Sequence, residues 1–520
     1  MKNNNLLSRR NFLAGSAVCA FSFSLAKSLP APSGNEPPLA ESLREKLRHD
    51  PLRPQYHLIP QAGSVGDPCA PRYFNGKYHV FYHNNLGGHG WAHATSADLV
   101  HWDHLPFALS PTPGFFDAYG CFTGSVLPDT NVPSVIYAAV TKVPREQETI
   151  RAEGLREAQC IATSTDPDLR TWHKFDQPVI DPPRDIKIVG FRDPFAWKDR
   201  ETWYVGVGSG LPQVGGNVLL YRSSDARHFE YLHPLAQGTW NGKSFTNPVG
   251  SAEMWECPDF FPLGEKHVLI YSTEYIAYWE VGTFDKQALQ FHSERKGFLD
   301  HGAYYAPKTM LDDKGRRLLW GWVQEKRPHD EVEAAGWSGA ISLPRVLTLG
   351  PLNELQMNVP PEFASLRTNT IVIKEPRNAS DLEASRARAV IHSRAGEVVC
   401  TFKAGNPDCG LDLYFSSSQD NAAFFKIANG VSIGETPSVI VGDRTLPLHP
   451  DEKGHSTLHL WIDGSIIELF VDGRQVITVR SYAVNHGASD IHAKWTGSPE
   501  SLVSMIVSDI IPISSDRMTT

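Results

Sequence analysis

The phrase ATSADLVHW at Ala94–Trp102 returns along the chain as ATSTDPDLRTW at Ala162–Trp172 and as RSSDARHF at Arg222–Phe229. Each copy runs serine, aspartate, aromatic residue. Repetition at intervals of tens of residues marks a chain built from copies of one small unit. Around these phrases lie five short strand-like runs: KYHVFYH from Lys77, SVIYAAVTKV from Ser134, TWYVGVGS from Thr202, HVLIYS from His267 and RLLWGWVQ from Arg317. Short strands, turns between them and no sustained helical periodicity predict an all-β, five-bladed β-propeller over residues 55–350. Its units average roughly 60 residues, above the ~40–50 of common blades, so long loops are expected. Asp98, Asp166 and Asp225 then read as turn carboxylates that bind their own backbone.

Beyond LPRVLTLGPLNELQMNVPPEFASLR the texture changes to strands in simple alternation. Residues 351–368 read as a linker and 369–520 as a C-terminal β-sandwich. Within it, LHLWIDGSIIELFVDGRQVITVRSY from Leu458 reads as hairpins with Asp463-Gly464 and Asp472-Gly473 in the turns. Glu468, inside one of these strands, is expected to be structural or interfacial. At the other end, SRRNFLAGSAVCAFSFSLA sets Arg9-Arg10 before an apolar run closing on Ser24-Leu25-Ala26. That is the pattern of a twin-arginine export signal over residues 1–26, followed by a linker over 27–54. The run is too short and too rich in Ser and Ala for a membrane anchor of roughly 20 apolar residues. The mature chain is therefore expected to lack a transmembrane span and to work in the periplasm or outside the cell.

Charge narrows the partners. With 49 Lys+Arg against 58 Asp+Glu the chain offers no basic surface for nucleic acid. Past the signal stand Cys69, Cys121, Cys160, Cys257, Cys400 and Cys409, without a C-x-x-C pair, and the histidines from His83 to His104 lack H-E-x-x-H geometry. No metal or cofactor is expected. Thiols are expected to stay reduced in a protein exported folded, with Cys400 and Cys409 the one local pair to test for a bridge.

Three acids share a setting. Asp67 precedes Pro68 in GSVGDPCAPRYF, Asp193 precedes Pro194 in VGFRDPFAW, and Glu256 stands one residue ahead of Cys257-Pro258 in EMWECPDFF. A residue before proline is driven toward extended backbone, which gives Asp67 a fixed direction. If each acid opens the innermost strand of its own blade, all three converge on the propeller axis.

The chain resembles glycoside hydrolase family 32, the invertase, inulinase, levanase and fructosyltransferase group, over essentially all of its mature length. The resemblance rests on GDP at Gly66–Pro68, GWAHATSADLVHW from Gly90, GCFTGSV from Gly120, QCIATSTD from Gln159, FRDP from Phe191, WECPDFF from Trp255, YYAPK from Tyr304, GWSGAISLPR from Gly336 and IDGSIIELFVDG from Ile462. It implies a retaining mechanism on β-D-fructofuranosides such as sucrose or fructans, with Asp67 as nucleophile, Glu256 as general acid/base and Asp193 as the stabiliser that binds fructosyl hydroxyls. It also implies Trp91, Phe122 and Trp322 as apolar walls against the sugar, with Thr123, Arg192 and Trp255 flanking the acids. Transfer of fructosyl groups to sugars, hydrolysis of another furanoside and an idle carbohydrate-binding propeller stay open as alternatives.

The sequence departs from the family at two positions. Most members carry Asn before the nucleophile and Gln a strand-length later. Here those positions are Gly66 and His83. Two side-chain amides that would hold the fructosyl ring are absent, so sucrose is expected to be a poor substrate beside a related furanoside or a larger fructan.

Overall fold

The computed structural model describes residues 40–150, 153–243, 247–406, 409–416, 423–433, 436–483, 490–515 and 518. The twin-arginine segment lies outside the described residues. Five antiparallel sheets are arranged in a ring. The strand-like runs read from the sequence are the second strands of their sheets, at Lys77–Asn84, Ser134–Lys142, Thr202–Leu211, Lys266–Thr273 and Arg317–Val323. Ahead of each lies an innermost strand: Gly63–Phe74, Gly120–Leu127, Phe191–Asp199, Glu256–Leu263 and Tyr304–Leu311. Each innermost strand touches the next, and the fifth touches the first, which closes the ring. Closure is reinforced where Gly63 and Ser64 pair in parallel with Trp337 and Ser338 of the fifth blade.

The repeated phrase is the turn from third to fourth strand in blades one to three. Its aspartates act as expected. Asp98 Oδ1 accepts from the N–H groups of Val100 at 2.9 Å and His101 at 2.8 Å, and Asp225 Oδ1 does the same for Arg227 and His228. Asp166 takes Asp168 N–H at 2.9 Å. Each carboxylate satisfies backbone donors that the turn leaves without a ladder partner.

Two six-stranded sheets follow and form the sandwich. Asp472 and Gly473 take positive φ in the hairpin turn, as the Asp-Gly pair predicts. Cys400 and Cys409 are both free thiols: Cys400 is buried within its strand, and the Cys409 thiol donates to Asn429 Oδ1 at 3.4 Å. Two segments read as linkers carry structure. Glu41–His49 is a helix with Leu47 buried against the propeller, and Leu355–Asn358 is the outermost strand of blade five, so that blade ends past residue 350. Among the described residues no helix is long and apolar enough to cross a membrane.

The two domains share a core, in which Trp461, Phe470 and Val476 of the sandwich pack with Tyr56, Tyr304 and Trp320 of the propeller. A buried ionic cluster runs through the same seam. Asp463 accepts from the backbone N–H groups of Gln55, Tyr56 and His57, and His57 bridges Asp463 at 2.8 Å and Glu468 at 3.0 Å. Arg345 joins Glu468 at 2.7 Å to Asp300 at 2.8 Å. Glu468 is thus interfacial.

Candidate active site

The innermost strands are not regular where the acids stand. Pairing slips between Val65 and Pro68 and again between Cys69 and Arg72 in blade one, opposite Arg192–Phe195 in blade three, and between Glu256 and Asp259 in blade four. A bulge places an extra residue in one strand and re-aims its side chains, which is how neighbouring residues come to face the axis. Ala70, Asp193, Cys257 and Ala306 adopt φ of 40°, 62°, 47° and 52°, one in each of four innermost strands. Left-handed backbone at non-glycine residues costs about 1–3 kcal/mol each and persists only where the surroundings impose it. Asp193 therefore does not share Asp67's extended setting, although proline follows both. The bulge overrides the proline, and Cys257 N–H locks the result by donating to Asp193 Oδ2 at 2.9 Å. Gly208 makes the close approach beneath the site feasible, since a Cβ there would lie 2.5 Å from the carbonyl of Trp255.

Asp67 and Asp193, from blades one and three, meet at the Cys257 thiol of blade four, and the charge of Glu256, the residue before it, acts on both. Cys257 Sγ lies 3.6 Å from Asp67 Oδ2 and 3.5 Å from Asp193 Oδ2. Thr123 Oγ1, from blade two, donates to Asp67 Oδ2 at 2.8 Å. Glu256 is held from both sides: Arg192 donates to Oε1 through its terminal nitrogen at 2.6 Å and through Nε at 3.1 Å, and Tyr305 O–H donates to Oε2 at 2.6 Å. Buried Lys308 donates to the carbonyl of Pro258 at 2.8 Å and places its charge behind Asp67 and Asp193.

Burial dominates the electrostatics. It pushes the Asp67 carboxyl up to about 6, with the Glu256 charge adding to the shift while the Thr123 and Cys257 bonds oppose it. Asp193 is pushed up to about 7 by burial, against the pull of Arg192 and with the push of Glu256 and Asp67. Both aspartates are poised near neutrality, as sites of proton and charge chemistry are.

The remaining residues divide. Phe122 and Trp322 are partly exposed at the site, with Phe122 beside His83 and Trp322 packed on the group around Tyr305 and Cys257. Trp91 is not a wall. It is 1% exposed in the core of blades one and two, and its indole N–H donates to the Phe122 carbonyl, so it supports the wall instead. Trp255 is buried and stacks on Tyr271 at 3.8 Å. His83 faces Gly66 across the strand pair, where a Cβ at position 66 would come 3.2 Å from His83 Cβ. Burial lowers the His83 ring to about 4, so it is neutral near pH 7; one nitrogen bonds the Cys121 backbone and Nε2 has no partner in the structure.

Sequence reasoning gave no role to Tyr305 and Lys308, though both lie in YYAPK, nor to Glu157. Glu157 is fully buried in the third strand of blade two and takes Arg192 at 2.9 Å. Its signal was a charged residue at an inward position of the apolar strand LREAQCIAT. Among the described residues no group of three or more His, Cys, Asp or Glu side chains could hold a metal ion.

The sequence profile of the glycosyl hydrolases family 32 N-terminal domain matches residues 57–359, and that of the family's C-terminal domain matches 362–508. The chain belongs to glycosyl hydrolase family 32 and is a glycoside hydrolase of the β-fructofuranosidase type. It is 31% identical to the sucrose-6-phosphate hydrolase of Escherichia coli over 468 residues, 84% of this chain and 90% of that protein. It is 33% identical to the raffinose invertase of Escherichia coli over 336 residues, 59% of this chain and 65% of that one. The fold matches the crystal structure of fructan 1-exohydrolase IIa from Cichorium intybus with a TM-score of 0.73 at 24% identity, covering 89% of this chain and 98% of that one.

Proposed function

We propose that the protein is an exported, retaining hydrolase of β-D-fructofuranosides, sucrose or fructans, that works through a covalent fructosyl-enzyme. The observation that carries this reading is the convergence of three acids from separate blades: Asp67 and Asp193 both contact Cys257 Sγ, and the charge of neighbouring Glu256 acts on both. In the first step an Asp67 oxygen attacks the fructosyl anomeric carbon. The bond to the leaving oxygen breaks as Glu256 gives that oxygen its proton. In the second step Glu256 takes a proton from water, the water oxygen attacks the same carbon, and the ester to Asp67 breaks, so both carboxyls return to their starting forms.

The surroundings support these roles. With its carboxyl near 6, Asp67 is mostly ionised at neutral pH, and the Thr123 hydroxyl leaves its other oxygen to the reaction. Asp193, fixed by Cys257 N–H, is placed to accept fructosyl hydroxyls. Relatives named for sucrose 6-phosphate and for raffinose make the leaving group the open variable. The buried, neutral His83 imidazole does not reproduce the paired donor and acceptor of the amide that most of the family carries there, which favours a substrate other than sucrose.

The test is to incubate the protein with sucrose, sucrose 6-phosphate, inulin and levan, separate the products by chromatography, and search denatured enzyme for a fructosyl ester. An ester on the peptide holding Asp67 is expected. Release of fructose with inverted anomeric configuration would overturn the mechanism. For export, replacing Arg9 and Arg10 by lysine should hold the precursor in the cytoplasm, and unchanged export of that variant would overturn the twin-arginine reading.

A further inference from the structure

The geometry points to Glu157 as a positioning residue that frees Glu256 to hold a proton, an inference that rests on the reading of Glu256 as the general acid/base. A general acid must carry its proton when substrate arrives. Yet Glu256 accepts two hydrogen bonds from Arg192, and an undivided ion pair would keep it ionised. The structure divides the pair. Arg192 gives its other terminal nitrogen to Glu157 Oε1 at 2.9 Å, while Glu157 Oε2 accepts from Phe191 N–H at 2.6 Å and from Thr149 Oγ1 at 3.1 Å. Every acceptor direction of Glu157 in use is met by a donor, and the side chain is fully buried. Both of its oxygens are engaged, by Arg192, Phe191 N–H and Thr149, and none of these partners is a reacting group.

That carboxylate answers a charge problem. If Glu256 alone faced Arg192, protonating it would strand a guanidinium in a buried site without a counterion. With Glu157 in place the guanidinium keeps a counterion in both protonation states of Glu256. The other groups facing Glu256 do not substitute for it: Asp67, Asp193 and Glu153 are acids with their own demands, and Tyr305 and Cys257 are neutral donors. Arg192 itself is held firmly charged, because although burial opposes its charge, Glu157, Glu256 and Asp193 all favour it. The guanidinium keeps its charge, and Glu157 is the acid bonded to it on the side away from Glu256.

The experiment is the pH dependence of kcat/KM for Glu157→Gln in the full chain, on the best natural fructoside and on 4-nitrophenyl β-D-fructofuranoside, whose leaving group needs little protonation. Removing the second counterion turns Arg192 wholly onto Glu256, which then loses its proton at lower pH. The basic limb on the natural fructoside should move down by about one unit or more. The aryl substrate should keep its activity through that window. A uniform fall at every pH with the limb unmoved, as a purely structural role would give, overturns the inference, and so does an unchanged profile. If Glu157→Gln fails to fold, Thr149→Val decides: loss of one donor to Glu157 should move the limb in the same direction by less, and an unmoved limb overturns the inference. Glu256→Gln runs alongside. Near-wild-type turnover by that variant overturns the acid/base reading and this inference with it, whereas an inactive Glu256→Gln with an unmoved limb in Glu157→Gln overturns this inference alone.

Discussion

Among the described residues, the buried carboxylates of the seam and those of the propeller axis are treated differently. At the seam between propeller and sandwich, burial works against the charge of Glu468, yet Arg345, His57 and Leu343 N–H hold it down at about 2. Asp463 there accepts three backbone N–H groups and His57. On the propeller axis the balance runs the other way. Asp67 and Asp193 are pushed up to about 6 and about 7, since their few donors do not repay burial and each feels the other acids. A carboxylate that is fully compensated fastens a fold. One left short of compensation has a proton or a bond to exchange, and its strain is borne by contacts elsewhere.

The largest effects should come from breaking the axial cluster. Asp67→Asn or Glu256→Gln should lower kcat on the best fructoside by roughly 10⁴-fold, because nucleophile and acid act as a unit. An aryl leaving group should partly rescue Glu256→Gln and leave Asp67→Asn inactive. Under the proposed role of Asp67 as nucleophile it must be ionised, so kcat/KM should fall as pH drops below about 6, where Asp67 takes up its proton. Full activity at pH 4 would contradict the role of Asp67.

Breaking the seam should cost stability and spare chemistry. His57→Gln strips a cation from two fully buried acids, and removing one partner of such a pair costs about 3–5 kcal/mol. Thermal or urea unfolding should show it, with kcat at 25 °C little changed. Burial opposes the charge of His57, but Asp463 and Glu468 raise it from 6.5 to about 9. A histidine raised on folding contributes stability that is fully present below pH 6.5 and lost as pH rises through about 9. The wild type should therefore lose stability between pH 7 and 10, and His57→Gln should lack that loss.

The axial acids should show the opposite response to neutralisation. Asp193 rises from 3.8 to about 7 on folding, so the fold loses stability as pH climbs from about 3.8, and the loss is complete by about 7. Below pH 3.8 both states hold the proton and no cost remains. Asp193→Asn should melt higher than wild type at pH 8, by about 1–3 kcal/mol, and equal to it near pH 3.5. The gain falls short of the ~4 kcal/mol that three pKa units represent, because Asn keeps only part of the bond from Cys257 N–H. A variant less stable at pH 8 than wild type would show that Asp193 is compensated after all.

The same contrast explains what could be read from the sequence. Each blade's second strand was legible, because it is a continuous apolar run flanked by turns. The acids were legible because Asp-Pro and Glu-Cys-Pro interrupt such patterns at the innermost strands. What escaped depends on partners distant in sequence. Glu157 has meaning only beside Arg192, 35 residues away in the next blade. Trp91 looked like a sugar platform, but it sits in the third strand of its blade, where an aromatic ring faces the neighbouring blade. Leu355–Asn358 is four residues long and sits near Pro351 and Pro360, too short to show alternation. The helix Glu41–His49 carries one buried leucine, which docking and not periodicity made significant.

The smallest expected effect concerns Gly66 and His83, at the proposed fructosyl subsite. The structure couples the two positions: a Cβ at 66 would press on His83 Cβ at 3.2 Å, and any longer side chain would compete with the imidazole for the same space. Gly66→Asn alone should therefore lose activity on all fructosides, since the amide is crowded out and the ring displaced. Adding His83→Gln removes the ring and supplies the second amide. Two regained hydrogen bonds at about 0.5–1.5 kcal/mol each would raise kcat/KM on sucrose, relative to the wild type's best substrate, by about ten- to a hundredfold. Because the positions touch, the double variant should exceed the sum of its singles, a coupling read from a double-mutant cycle on two substrates. Additive losses, or a wild type that already cleaves sucrose best, would show that His83 fills the amide's role and that the subsite has not shifted.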